Sequence, residues 1–307
     1  MADVILDTPI AAAPAKPAAA FRAMLHNPAV MFGGVIIAIV LVMALLAPWL
    51  GTVDPTAINP IARNKVPGTE ISLRTDTGER IKMVATFGTD GLGRDVYSRV
   101  VYGARISLLV GVSVALISVA CGLFIGVLAG FFRILDAIIM RIMDGLMAIP
   151  AILLAIAMVS LFRSSVWTVI IAITVPQVPG VVRLVRSIVL SVREEPYVEA
   201  AVTLGTSTPK LLWRHVLPNT VAPMIVQGTF ICASAILVEA ILSFLGIGVP
   251  PEVPTWGNIM AAGREVFSLF PHNIIYPGIL LAMTILAVNV LGDGLRDTLD
   301  PKMAKRV

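Results

Sequence analysis

The sequence predicts an all-α integral membrane protein with six transmembrane helices. Three observations carry that expectation. Of 307 residues, 57% are hydrophobic and only 14% charged, against the roughly 25% charged residues usual in soluble domains. The apolar residues gather into six segments, each long enough to approach the about 20 residues that a helix needs to cross a bilayer. The charges collect in the tails and loops between those segments.

The elements follow in chain order. Residues 1–28 form a tail that is rich in Ala and Pro up to Ala20, a composition that suits a flexible segment better than a packed one. It lacks the early basic and then apolar pattern of a signal peptide. The first span covers residues 29–50, where no charge occurs. Residues 51–105 are of another kind, with eight Lys or Arg and six Asp or Glu. They are too polar to cross and too short for an ordinary domain. Gly91 and Gly93 in this loop fail as a phosphate cradle, because no Lys-Ser or Lys-Thr follows at the required spacing and no strand precedes them.

The second span runs from about Ile106 to Phe131, and Gly122, Gly126 and Gly130 strip one face so that a neighbouring helix can come close. A short polar turn with Arg133, Asp136 and Arg141 leads to a third span from about Ile142 to Leu161, bent where Pro150 removes a backbone donor. Asp144, near its polar end, is either a snorkelling interfacial charge or part of a pathway across the membrane. Arg163 to Ser165 turn the chain into a fourth span, Val166 to Val185. There Pro176 and Pro179 flank Gln177, and broken backbone at membrane depth is tolerated only beside protein or a watery cavity, so Gln177 is a candidate to face a pathway. The fifth span, Val221 to Ile247, and the sixth, Ile274 to Leu291, are joined by a Pro-rich loop from Gly248 to Gly257 that sets Trp256 at the membrane interface.

Glu239 lies well inside the fifth span. A carboxylate there costs roughly 3 kcal/mol or more unless it is paired, protonated or wetted. Two readings stay open: a pathway or gating residue touching substrate, water or a partner subunit, and a hydrogen bond between helices. The two cysteines, Cys121 and Cys232, both lie in apolar runs, which points away from a disulfide framework or a thiolate metal site. The net charge of +4 is scattered through loops and tails without a dense stripe or stacking aromatics, so no nucleic-acid partner is expected.

The polar loop 187–219 organises the rest. Pro196 stands just inside the start of a short helix and Gly205 ends it. A second short helix follows, with Thr206, Ser207 and Thr208 offering cap oxygens, Pro209 at a first helical position, and Pro218 breaking the run after Val216. Ala200 and Ala201 let another surface approach the backbone, while Glu199, Lys210 and Arg214 can fix its orientation by charge. An amphipathic hairpin lying on the membrane is the plainer alternative.

Glu199-Ala200-Ala201, three residues, Gly205, and then eleven residues before Leu217-Pro218 resembles the signature loop of the membrane subunits of ATP-binding-cassette (ABC) importers. The general motif carries an aliphatic residue where this chain has His215, and the ending Arg214 to Asn219 is instead similar to the dipeptide, oligopeptide and nickel branch. So are Gly88 to Arg99 followed by Tyr102 to Leu108, the Asp144 to Pro150 pattern, Ser243-Phe244-Leu245-Gly246 with its Pro-rich sequel, and Leu291 to Asp297 leading to Asp300-Pro301.

The resemblance implies the type I ABC importer permease fold and the C-type membrane subunit, with a transmembrane core over residues 106–294 and a cytoplasmic C-tail at 295–307. It implies an ATPase-coupling loop carried by Glu199, Ala200, Ala201, Gly205, Lys210, Arg214, His215 and Pro218. It further implies a second homologous permease, two ABC ATPase subunits or domains, and an extracytoplasmic solute-binding protein as partners. Lipid surrounds the spans. The chain itself is expected to catalyse nothing and to bind no cofactor or metal, since it has no Walker lysine and ATP with Mg would sit on the ATPases. The location implied is the bacterial inner membrane, multi-pass, with both termini cytoplasmic. That orientation puts 13 Lys or Arg on the cytoplasmic side and 10 on the other, a weak bias in the expected direction. The rival classes are an ATP-independent secondary transporter or channel, which would want several intramembrane charges or an internal repeat, and a structural scaffold. Nothing in the spans chooses among peptides, nickel, glutathione, sugars or opines as substrate.

Overall fold

The computed structural model describes residues 24–74 and 80–299. Most of the expected N-tail, and the Asp300-Pro301 end of the C-tail motif, lie outside the described residues. In chain order the helices are α1 (Pro28–Leu45), α2 (Val96–Phe131), α3 (Arg133–Met147), α4 (Ala151–Leu161), α5 (Val166–Arg193), α6 (Pro196–Thr203), α7 (Thr208–Leu211), α8 (Leu217–Phe244), α9 (Trp256–Gly263) and α10 (His272–Leu299). Between α1 and α2 the strands β1 (Thr69–Arg74) and β2 (Arg80–Ala85) pair antiparallel, with Thr69 opposite Ala85.

Among the described residues five helical runs are long and apolar enough to cross a membrane: α1, α2, α5, Thr208–Phe244 and α10. The pair α3 and α4, bent by 87° between Met147 and Ala151, makes a sixth when counted as one broken span. Pro150 thus produces the expected bend, although Arg133, Asp136 and Arg141 belong to the helix α3 rather than to a turn. Other spans are longer than expected, among them α10, which runs from His272 to Leu299 where the expected span covers Ile274 to Leu291. The helix α2 starts ten residues before Ile106 because the Asp95 side chain accepts from the Ser98 amide and caps it. The helix α5 runs unbroken through Pro176 and Pro179 and continues eight residues past Val185 to Arg193.

The glycine face of α2 packs on α5, at Gly122 against Val181, Gly126 against Val185 and Gly130 against Val189. A methyl group on Gly126 would lie 2.7 Å from Val185 Cβ and 2.9 Å from the Val182 carbonyl oxygen. The two axes are therefore held at a distance only glycine permits. Arginines close three helix ends, where the last carbonyls have no partner in their own helix and the dipole is negative. The Arg193 guanidinium donates to the carbonyls of Gly130 (3.0 Å) and Phe131 (3.1 Å) at the end of α2. Arg105 does the same for Ala44 and Leu45 after α1, and Arg264 donates to Phe244 after α8.

The polar segment after α1 is packed onto the start of α2 and the loop after α8. Arg99, fully buried, donates to the carbonyls of Pro55 (3.2 Å) and Pro251 (3.4 Å), while Arg94 Nε donates to Asp90 Oδ2 at 2.7 Å. Trp256 corrects the expectation of an interfacial ring. It is wholly buried as the first residue of α9, with its indole N–H donating to the Val100 carbonyl at 3.1 Å. The Asn258 amide donates to the carbonyls of Val249, Pro250 and Val253, which stiffens the Pro-rich loop.

Candidate coupling loop and membrane charges

The connection from α5 to α8 folds as a knob. Pro196 opens α6 with Glu199 in its first turn, where a carboxylate suits the helix dipole. Gly205 closes it in the left-handed region at φ +78°, with its amide donating to Val202 (2.9 Å) and the Thr206 amide donating to Ala201 (3.0 Å). The second helical piece departs from expectation, because Pro218 does not break it. The chain stays helical from Thr208 into α8, and a wide turn over Leu212–Val216 absorbs the N–H that Pro218 lacks. The Asn219 amide donates to the His215 carbonyl at 2.6 Å and to the Tyr197 hydroxyl at 3.3 Å, tying this turn back to α6.

Burial divides the knob into an anchor and a display face. Val198, Leu211 and Val216 are buried in the main apolar core. Glu199, Ala200, Gly205, Lys210, Arg214 and Pro218 are exposed, while Ala201 and His215 are half-buried. Large apolar side chains that the motif does not contain join the display, foremost Leu204 at 85% and Trp213 at 75% exposure, with Val202 and Tyr197 beside them. The signal was legible as apolar residues outside any span beside a helix-ending glycine.

The three candidate pathway residues are placed apart, with no shared partner. Glu239 is fully buried, its Oε1 accepting from the Ser243 hydroxyl (2.8 Å) and its Oε2 from the Ser107 hydroxyl (3.4 Å), so it ties α8 to α2 in this conformation. Gln177 donates from its side-chain amide to the Ser234 hydroxyl at 3.3 Å and ties α5 to α8. Asp144 sits on the flank of α3 and accepts from Arg183 Nη2 at 2.5 Å. Beside it, Asp136 receives two bonds from Arg186, one of them at 2.7 Å from Nη2 to Oδ2. Closing the fourth span at Val185 left Arg186 among the loop charges and Arg183 at the very end of the span, so Glu239 looked nearly alone as a charge well inside one. The spacing of Asp136 and Asp144 along one helix, facing arginines three residues apart on the next, was the available signal.

Comparison with known proteins agrees with this architecture. Residues 122–305 match the family described as binding-protein-dependent transport system inner membrane component, and residues 18–67 match the N-terminal TM domain of oligopeptide transport permease C. A probable peptide ABC transporter permease protein of Sinorhizobium fredii is 49% identical over 281 residues, 92% of this chain and 91% of that one. The dipeptide transport system permease protein DppC of Alkalihalophilus pseudofirmus is 38% identical over 285 residues, 92% and 89% of the two chains. The oligopeptide transport system permease protein OppC of Bacillus subtilis is 35% identical over 280 residues, 91% and 87%. The chain therefore belongs to the family of inner membrane components of binding-protein-dependent transport systems, the membrane-spanning permease subunits of ABC importers.

Proposed function

We propose that this permease carries di- or oligopeptides inward, handed over by an extracytoplasmic binding protein and driven by ATP hydrolysed on two separate ABC ATPase subunits or domains. The observation that carries the substrate class is that relatives covering nine-tenths of the chain are named as peptide, dipeptide or oligopeptide permeases. The displayed knob supports the drive. Glu199, Ala200, Ala201, Gly205, Lys210, Arg214, His215 and Pro218 make the surface that would seat in an ATPase groove, with Val198, Leu211 and Val216 transmitting its motion into the core. That assignment puts the knob and both termini in the cytoplasm of a bacterium and the segment 51–95 outside. A second, homologous permease would complete the pathway. This chain would bind neither ATP nor Mg itself. ATP can shift the inward- and outward-open populations only if the two states differ in contact free energy at the knob. The experiment is uptake of a labelled dipeptide by proteoliposomes holding the assembled complex. ATP- and binding-protein-dependent uptake is expected; uptake that persists without ATP on an ion gradient would overturn the reading in favour of a secondary transporter.

A further inference from the structure

The ion pair of Asp144 and Arg183 leaves 56% and 45% of its two side chains exposed. Its position makes that exposure informative. The 28 residues of α5 span about 42 Å at 1.5 Å per residue, and Arg183, ten residues before Arg193, lies about 15 Å from the end of the helix. Val181 and Val185, on either side of Arg183, pack against Gly122 and Gly126 within the apolar run Ile106 to Phe131 of α2, which sets Arg183 at the level of a membrane-spanning segment. Charged groups open to lipid at that depth are expensive, so they face the bundle interior, another subunit or water. These two do not face the interior of their own subunit.

The neighbouring pair behaves differently. Asp136 and Arg186 are 22% and 32% exposed and doubly bonded, a clasp that fixes α3 on α5. The pair of Asp144 and Arg183 makes one bond and lies open on the surface of this subunit, and an exposed pair in water is worth little. It can therefore exchange partners at small cost. A transport pathway needs contacts of that kind, favourable enough to be entered and weak enough to be left.

We infer that Asp144 and Arg183 line the water-filled translocation pathway and act as a transient, two-signed contact for a zwitterionic solute. Asp144 receives its ammonium group and Arg183 its carboxylate as their mutual bond opens. This rests on the peptide reading for the identity of the solute, since a free peptide carries those two groups at its ends. The placement in the pathway rests on burial and depth alone.

The test uses the complete complex in native membranes, with Cys121→Ser and Cys232→Ala as background. Arg183→Cys is expected to react with a charged, membrane-impermeant thiosulfonate, whereas Ile39→Cys, at a position 61% exposed on the outer helix α1, is expected to stay unreactive. Absence of reaction at Arg183→Cys, with and without ATP, would place the pair in a dry interface and overturn the inference. In proteoliposomes Arg183→Gln is expected to lower dipeptide uptake about tenfold, and the charge exchange Asp144→Arg with Arg183→Asp is expected not to restore it. Restoration by that exchange would make the pair a helix tie and nothing more. A wild-type complex that imports no peptide would sink the peptide reading, and the labelling result would still decide whether the pair lines the pathway.

Discussion

Gly205→Val tests the knob through a backbone effect that is isolated from packing. A Cβ at Gly205 would meet nothing within 4 Å, so the substitution creates no clash inside the chain. What it opposes is φ +78°, a conformation that costs an L-residue roughly 1–2 kcal/mol, with a β-branched side chain at the upper end. Relieving that strain opens the bonds from Gly205 to Val202 and from Thr206 to Ala201 and lets α7 swing away from α6. A loss of 1–2 kcal/mol lowers the population of the ordered knob about 5- to 30-fold relative to its opened forms. The anchor residues Val198, Leu211 and Val216 remain buried, so the complex is expected to assemble with near-normal yield. The assay is solute imported per ATP hydrolysed in proteoliposomes, expected to fall in Gly205→Val and to be largely kept in Gly205→Asn, which tolerates left-handed backbone. Unchanged coupling in the valine variant would refute the reasoning. Equal loss in both variants would show that the missing side chain, rather than φ, is what the partner needs.

Four further outcomes follow from the packing and the buried acids. Gly126→Val drives a side chain into Val185 and the Val182 carbonyl; overpacking of this kind costs about 1–3 kcal/mol, read as a lower thermal midpoint in detergent. Gly145→Ala, with open space around it, is expected to hold or raise that midpoint. Glu239→Gln keeps the shape and an accepting oxygen for one of its two serine bonds and is expected to keep uptake within about twofold, whereas Glu239→Leu strands the hydroxyls of Ser107 and Ser243 at about 1–3 kcal/mol each. Loss of uptake in the glutamine variant, with assembly intact, would show that a helix tie does not account for the residue. Burial holds the Asp95 carboxyl above its usual range, against the opposing bonds from Ser98. The folded state therefore takes up the proton first, and stability from this group grows as pH falls from the raised value towards about 3.9. Asp95→Asn is expected to flatten that dependence, measured as thermal midpoints between about pH 4 and about pH 7; parallel curves for the two proteins would contradict it.

The spans and the knob were legible in the sequence for a physical reason. Bilayer crossing imposes a length and an apolar composition, and a helix end at Gly205 imposes a residue that tolerates positive φ. The Gly122, Gly126 and Gly130 spacing likewise announced close packing, although the partners Val181, Val185 and Val189 could not be named from one helix alone. What escaped were features set by tertiary partners. Trp256 reads as interfacial until its indole finds the Val100 carbonyl, and Pro218 reads as a stop until a wide turn accommodates it. Asp136 and Arg186 read as loop charges because composition marks where charge is dense, whereas a pair of opposite charges on facing helices is compensated and lets the helix continue. The three candidate pathway residues were found one by one as polar groups in apolar runs, and such a search cannot tell a tie between helices, as at Glu239, from a group on an open flank, as at Asp144.

The central claim is that the knob is the surface on which an ATPase pair drives this permease. The most direct measurement is mild-detergent isolation of the chain from its native membrane with identification of what stays bound, made on the wild type and on Ala200→Arg. The wild type is expected to retain a second six-span permease and Walker-containing ATPases, and the variant is expected to keep the permease and lose the ATPases. A wild-type chain recovered alone, or ATPases retained in full by Ala200→Arg, would contradict the account.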